Sequence, residues 1–323
     1  MNDAESRRVV LAALLLACTP RLAQAAWPER PITLVVPFGP GGIADLTART
    51  VAQAMSATLK VPIVVDNKPS AGSIVGSAAV AQAAPDGHTL LLLSNANAVS
   101  AGLFRKLPFD VQKDFAPVSL LGVFDLALFV SAESKLKSVR ELVDGAKARP
   151  GQLSIGTIAV GSTQNLSAEL FKARTGIDAL IVPYKSSPAV LTALRAGEID
   201  AAFEILGPML PQLQAQAVRA LAVTSDRRFA ALPEVPTMRE AGVSDYEVAS
   251  WNALAAPAKT PPAVIERLNA AANEALKSPA VQQRLLALGV RAQGGTPQQL
   301  QALLASEIRH WGEVIRAAKI EPE

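Results

Sequence analysis

From Trp27 onward, short unbroken apolar runs alternate with longer stretches in which apolar residues recur three and four positions apart. The runs read as buried strands and the stretches as helices packed by one face. Strands are predicted at 32–36, 63–66, 89–93 and 118–122, with helices at 44–59 and 74–82; Pro85-Asp86-Gly87 forms a turn after the second helix. Strand and helix in alternation predict an α/β unit with a largely parallel sheet. A second unit starts near 127–131, with strands at 153–155, 180–182, 201–203 and 219–223 and helices at 164–174 and 189–196. Ser138-Val139-Arg140-Glu141 and Thr237-Met238-Arg239-Glu240 both have the spacing of a capping box, in which hydroxyl and carboxylate each satisfy a backbone N–H at a helix start. An apolar segment at 248–256 follows. The remainder reads as helical, with Thr260-Pro261, Ser278-Pro279 and Thr296-Pro297 each pairing a hydroxyl cap with proline at the first helical position. No strand is predicted after 256. The terminal helices are therefore expected to return to the first unit, making it discontinuous, with two chain crossings to the second.

The chain has 323 residues, half of them hydrophobic, which is enough for two domains. Lys and Arg exceed Asp and Glu by three, aromatic residues are 4%, and no basic run occurs, so nucleic-acid binding gains no support. The first 25 residues change the picture more. Arg7 and Arg8, the apolar run from Val9 to Cys18 and the small-x-small Ala23-Gln24-Ala25 read as an export signal cleaved after Ala25. The run is too short to span a bilayer, which takes about 20 apolar residues. Ser6-Arg7-Arg8 loosely resembles a twin-arginine signal, Leu15-Leu16-Ala17-Cys18 a lipoprotein cleavage box, and an amino-terminal core helix is the structural alternative. Cys18 is the only cysteine, so cleavage after Ala25 would leave a mature chain without a thiol.

Candidate chemistry is concentrated in two turns. Pro37-Phe38-Gly39-Pro40-Gly41-Gly42-Ile43-Ala44-Asp45 joins a predicted strand to a predicted helix. Glycines let backbone approach a ligand, and the first N–H groups of a helix lack intrahelical acceptors, so such a turn is suited to an anion. Gly156-Thr157-Ile158-Ala159-Val160-Gly161-Ser162-Thr163 has the spacing of a phosphate loop, but Ser162 stands where that loop has lysine. Backbone N–H groups and two hydroxyls remain; alternatively Ser162 or Thr163 merely caps the helix. One such turn per unit would let two helix N-termini grip one carboxylate, or both ends of a diacid, between domains. His88 and His310 are the only histidines, too few for a serine triad or a histidine-based zinc site. Asp45 could act as a general base, or could accept N–H bonds within the first helical turn.

The residues that carry a resemblance are spread over nearly the whole mature chain. They include Trp27-Pro28-Glu29-Arg30-Pro31-Ile32, the turn ending at Asp45, Val65-Asp66-Asn67-Lys68-Pro69, Pro85-Asp86-Gly87-His88-Thr89-Leu90 and Val182-Pro183-Tyr184-Lys185. Further on come Gly197-Glu198-Ile199-Asp200, Leu232-Pro233-Glu234-Val235-Pro236-Thr237 and Ala256-Pro257-Ala258-Lys259-Thr260-Pro261. In order and number these matches resemble the tripartite tricarboxylate transporter receptors, also called Bug-type extracytoplasmic solute receptors.

The resemblance implies an α/β, two-domain "Venus flytrap" of the periplasmic-binding-protein type II class, without catalysis, metal or cofactor. Residues 1–25 would be the signal peptide, 26–124 with 253–323 the discontinuous first domain, and 125–252 the second. It implies a periplasmic monomer that delivers a small carboxylate to membrane permease subunits, with lipid anchoring at Cys18 as a variant. Carried over by position, the ligand would meet Phe38, Gly41, Gly42 and Asp45 on one side and Gly161, Ser162 and Thr163 on the other, with Ser94 to Asn97 and Tyr184 as walls. Three positions depart from the family pattern: Asn165 precedes Leu166 where a histidine is common, Ser186 replaces a glycine, and Glu204 replaces an aspartate. Glu204 would either line the pocket or face solvent. With Tyr184, Asn165 and Asn97 it would set selectivity, so ligand identity does not carry over from relatives. Two other readings stay open: a ligand sensor for a signalling partner, and a hydrolase or lyase using Asp45 or Glu204 as base.

Overall fold

The computed structural model describes residues 27–229, 231–317 and 320–322. The export segment expected at 1–25, with Cys18, lies outside them. The first half runs β1 (Ile32–Val36), α1 (Ile43–Leu59), β2 (Ile63–Asn67), α2 (Ile74–Ala81), β3 (Thr89–Ser94) and α3 (Asn95–Leu103). Its strands pair in parallel in the order β2-β1-β3. The period of two along β1 sorts its side chains: Ile32, Leu34 and Val36 join one apolar cluster while Val35 joins another on the opposite face. Helix α1 meets the first cluster through Ala48, Val51, Ala52, Met55 and Leu59, spaced for one helical face, and ends where Lys60 turns left-handed at φ 63°.

The strands expected separately at 118–122 and 127–131 are one strand, β4 (Phe115–Ser131). It runs through both halves. Phe115 to Asp125 pair with β9 (Ala249–Pro257), while Leu126 to Ser131 pair with strands of the second half. Shifts of register at Pro117/Ser119 and Leu120/Gly122 break the alternation that would have revealed its length. Gly122 is required by packing: a Cβ there would lie 2.6 Å from Val290 Cγ1 and 2.8 Å from Arg291 O. At the crossing, the carboxylate of buried Asp125 receives two hydrogen bonds from Arg291, at 2.7 and 3.1 Å.

The second half contains α4 (Val139–Ala148), β5 (Leu153–Ile158), α5 (Thr163–Thr175), β6 (Ala179–Tyr184), α6 (Ser187–Ala196), β7 (Ala201–Ile205), α7 (Leu206–Gln214) and β8 (Val218–Val223). Strands β6-β5-β7 are parallel, and β4 lies antiparallel to both β7 and β8. Helix α7 was hidden by Pro208 and Pro211; Pro208 falls in the first turn, where N–H groups have no acceptor in any case. The Thr237–Glu240 box forms both bonds, Thr237 N to Glu240 Oε2 at 2.9 Å and Glu240 N to Thr237 Oγ1 at 3.1 Å. It caps a single turn rather than a helix, because the chain turns left-handed at Gly242, φ 93°.

After β9 come α8 (Pro262–Lys277), α9 (Pro279–Ala287), β10 (Val290–Ala292) and α10 (Pro297–Ala317). The three-residue β10, paired with β4, corrects the expectation of no strand after 256; it is too short for a periodic signal. Helix α8 opens at Pro262 with Pro261 at the cap, one residue later than expected. Helices α8 and α9 pack on α1, and α10 packs on α3 and β4. One apolar cluster continues from the first half into the second through Leu128, Val130, Phe171, Tyr246 and Trp251. A separate cluster covers the other face of the second sheet. The result is a mixed α/β protein with a discontinuous first half.

Candidate functional site

Parallel α/β sheets place ligands beyond the carboxyl ends of their strands. In the first half those ends carry the Pro37 to Asp45 turn after β1, Asn67 at the end of β2 and Ser94 at the end of β3. In the second they carry the Gly161 loop after β5, Tyr184 at the end of β6 and Glu204 near the end of β7. The register sets Ile158 opposite Tyr184. The two sets of strand ends meet: Asn95 Nδ2, in the first turn of α3, donates to Thr163 Oγ1, in the first turn of α5, at 3.0 Å.

The first turn is built around Asp45. Its buried carboxylate accepts from Gly41 N at 2.9 Å, from Arg49 Nε at 3.0 Å on both oxygens, and from Asn67 Nδ2 at 3.0 Å. Burial alone would raise this carboxyl's pKa. The donors Arg49, Gly41 and Asn67, with the charge of Arg49, outweigh burial and leave the pKa below its usual value. Asn67 Nδ2 also donates to Phe38 O at 3.0 Å, and the Phe38 ring packs against the apolar cluster under α1. With the turn thus tied, α1 starts at Gly42, which has no side chain to cap it. Among the described residues, the N–H groups of Gly42, Ile43 and Ala44 meet no acceptor. Gly41 and Gly42 are exposed, and no heavy atom would lie closer than 3.8 Å to a Cβ at either.

The second turn is more self-contained. Ser162 Oγ accepts from Asn165 N at 3.1 Å, the hydrogen bond of an N-cap, and donates to Ile158 O at 3.3 Å. Gly161 is left-handed at φ 78°, and its N–H reaches Asn165 Oδ1 at 3.4 Å. Asn165 Nδ2 lies 3.5 Å from Thr157 Oγ1. The hydroxyl of Thr163 pairs with Ser250 Oγ at 3.0 Å in addition to Asn95. At the start of α5, the Thr163 and Gln164 N–H groups meet no acceptor among the described residues.

Ser94 and Asn97 brace α3 from within. Ser94 N donates to Asn97 Oδ1 at 3.0 Å, and Asn97 Nδ2 donates to Ser77 Oγ at 2.7 Å. Glu204 is buried, so the solvent-facing alternative does not hold. Its Oε2 accepts from Ser187 Oγ at 2.9 Å, Ile205 N at 3.2 Å and Gln164 Nε2 at 3.4 Å, while Oε1 has no partner among the described residues. Burial pushes its pKa up to about 7 despite those three donors. Tyr184 is half-buried against the cluster on the outer face of the second sheet.

Two residues outside the predicted set close the joint between the halves. Trp311 on α10 is fully buried, and its Nε1 donates to Asn95 Oδ1 at 2.8 Å and Glu307 Oε2 at 3.0 Å. Ser250 holds Thr163 from β9. No local motif marks either one, because each comes from a segment far away in sequence. Among the described residues, no cluster of acidic, histidine or cysteine side chains could hold a metal, and no helix is long and apolar enough to cross a membrane.

Two α/β halves joined by the through-running β4, with the N-termini of α3 and α5 in contact where they meet, form the architecture of two-domain solute-binding proteins. The chain belongs to the tripartite tricarboxylate transporter receptor family, whose model matches residues 47–320. It is 38% identical to Protein BugT of Bordetella pertussis over 292 residues, 90% of each chain. Among solved structures it resembles Rpa4515 of R. palustris with adipate, at 35% identity and TM-score 0.86, covering 92% of this chain and all of that one. It also resembles MatC from Rhodopseudomonas palustris with bound malate, at 33% identity and TM-score 0.83, covering 90% and 100%.

Proposed function

We propose that this protein is an exported, periplasmic receptor that holds a small organic carboxylate between its two halves and delivers it to the membrane subunits of a tripartite tricarboxylate-type transporter. The observation that carries this reading is the uncapped start of α1 at exposed Gly42, where N–H groups without an acceptor among the described residues sit at the positive end of a 17-residue helix. The Thr163 and Gln164 N–H groups supply the second contact. The carboxylates named in the MatC and Rpa4515 structures agree with an acid ligand. Segments 26–124 with 253–323, and 125–252, are proposed as the domains, hinging where β4 and the chain entering β9 cross between halves. Closure would shift an open–closed equilibrium that the permease reads.

The role is binding without turnover. Both Asp45 oxygens are occupied by donors, and no charged group contributes to the shifted pKa of Glu204. A thermal-shift screen of mono-, di- and tricarboxylates tests the ligand class, because a solute that binds only the folded state raises the melting temperature. At least one acid is expected to do so, and to be recovered chemically unaltered. A flat response to every acid, or recovery of product, would overturn the reading.

A further inference from the structure

A concavity of about 1500 Å³ lies on the outer flank of the second half, among α4, the end of α5, α7, β8 and the 231–244 segment. None of the residues expected to hold the solute lines it. Its volume exceeds the roughly 300–1,000 Å³ of small-molecule sites.

Part of its lining is a partly buried sheet edge that lacks a neighbouring strand. Strand β8 pairs with β4 on one side. On the other, the chain covers only Val223, through Val223 N to Pro236 O at 2.8 Å and Met238 N to Val223 O at 2.9 Å. From Val218 to Ala222 that second side has no backbone partner among the described residues; Arg219 and Ala220 are half-buried there, while Val218, Leu221 and Ala222 are buried. An edge without a backbone partner is where an extended peptide adds as a strand, here centred on Arg219 and Ala220.

Charge selects the peptide. Lys137, Lys147 and Arg174 line the groove, exposed and without an acidic partner among the described residues. Of the acids there, Glu240 is already held by Arg228 and its own capping turn, which leaves only Glu234 against these three cations and Arg219, whose guanidinium is held by the carbonyls of Ala132, Ser134 and Leu136. Half-buried Val143, Leu210 and Leu232 offer apolar contact beside the edge. We infer that this groove binds an extended, acidic segment of a partner protein, added as a strand to β8, independently of the solute site.

The test pans a display library of random peptides of about ten residues, the length of a long strand, on the full chain. The enriched peptides are then measured against a Lys147→Glu/Arg174→Glu variant. The inference expects sequences alternating apolar residues with Asp or Glu, binding roughly tenfold more weakly to the charge-reversed variant. N-methylation of alternate peptide amides should abolish binding, since it removes the donors of strand pairing, and solute affinity should stay unchanged in the variant. Absence of enrichment, or binding indifferent to either change, would overturn the inference and leave the cations as guards of a bare edge. Sedimentation with phosphatidylglycerol vesicles that the double reversal abolishes would assign the groove to a lipid surface instead, and would equally overturn it.

Discussion

Gly41 and Gly42 are neighbours in one turn, yet the backbone needs only the first. At φ 81° Gly41 occupies the left-handed region, so Gly41→Ala is expected to cost about 1–2 kcal/mol of folding stability, read by urea denaturation. Gly42 lies at φ −80°, ψ 171°, open to any residue, with empty space around its Cβ direction. Gly42→Leu should therefore leave stability within about 0.5 kcal/mol, as for an ordinary surface substitution, while covering the free N–H groups of α1. The pair was legible in the sequence; which glycine is conformational depends on φ and was not. Glu204 was legible only as an acid of unknown orientation. With a folded pKa raised to about 7, it contributes stability that is fully present below its unfolded pKa and is lost as pH rises through 7. The loss is on the order of 3 kcal/mol at most, from the size of the shift. Urea melts at pH 5 and pH 8 should show the wild type weakening at the higher pH and Glu204→Gln with that dependence flattened.

At the scale of elements, the joint between α3 and α5 holds the site's two sides together. Asn95 uses both ends of its amide, donating to Thr163 and accepting from Trp311, and all three side chains are buried. Asn95→Ala should destabilise by about 1–3 kcal/mol because it strands buried polar groups. A double-mutant cycle with Thr163→Val should show a coupling energy of about 1 kcal/mol, while additive losses would place the two residues in separate roles. Little of this joint could be read beforehand. The Ser94-to-Asn97 spacing is a helix start, but it follows an apolar strand with no intervening turn, so α3 did not stand out. Ser250 and Trp311 reach the joint through tertiary folding alone. Helix α5, by contrast, was expected at 164–174 and occupies Thr163–Thr175.

Across the whole molecule, alternation of strand and helix made the α/β class and the return of the terminal helices readable, since burial pattern is a local property of sequence. The continuity of β4 through both halves was not readable, because the charged Asp125 interrupts the apolar run between the strands expected at 118–122 and 127–131. In the proposed function, β4 and the approach to β9 would be the axis about which one half moves against the other. The asymmetry of the two turns also emerged only in three dimensions: Ser162 caps its own helix, whereas Gly42 leaves α1 open. The account thus rests on the N-terminus of α1. Isothermal titration calorimetry of wild type and Gly42→Leu with mono-, di- and tricarboxylates, malate and adipate included, measures it directly. Saturable heat is expected from at least one acid in the wild type and none in Gly42→Leu, with matching melting temperatures for the two ligand-free proteins. Equal affinity in both proteins, or no heat from any acid in the wild type, would contradict it.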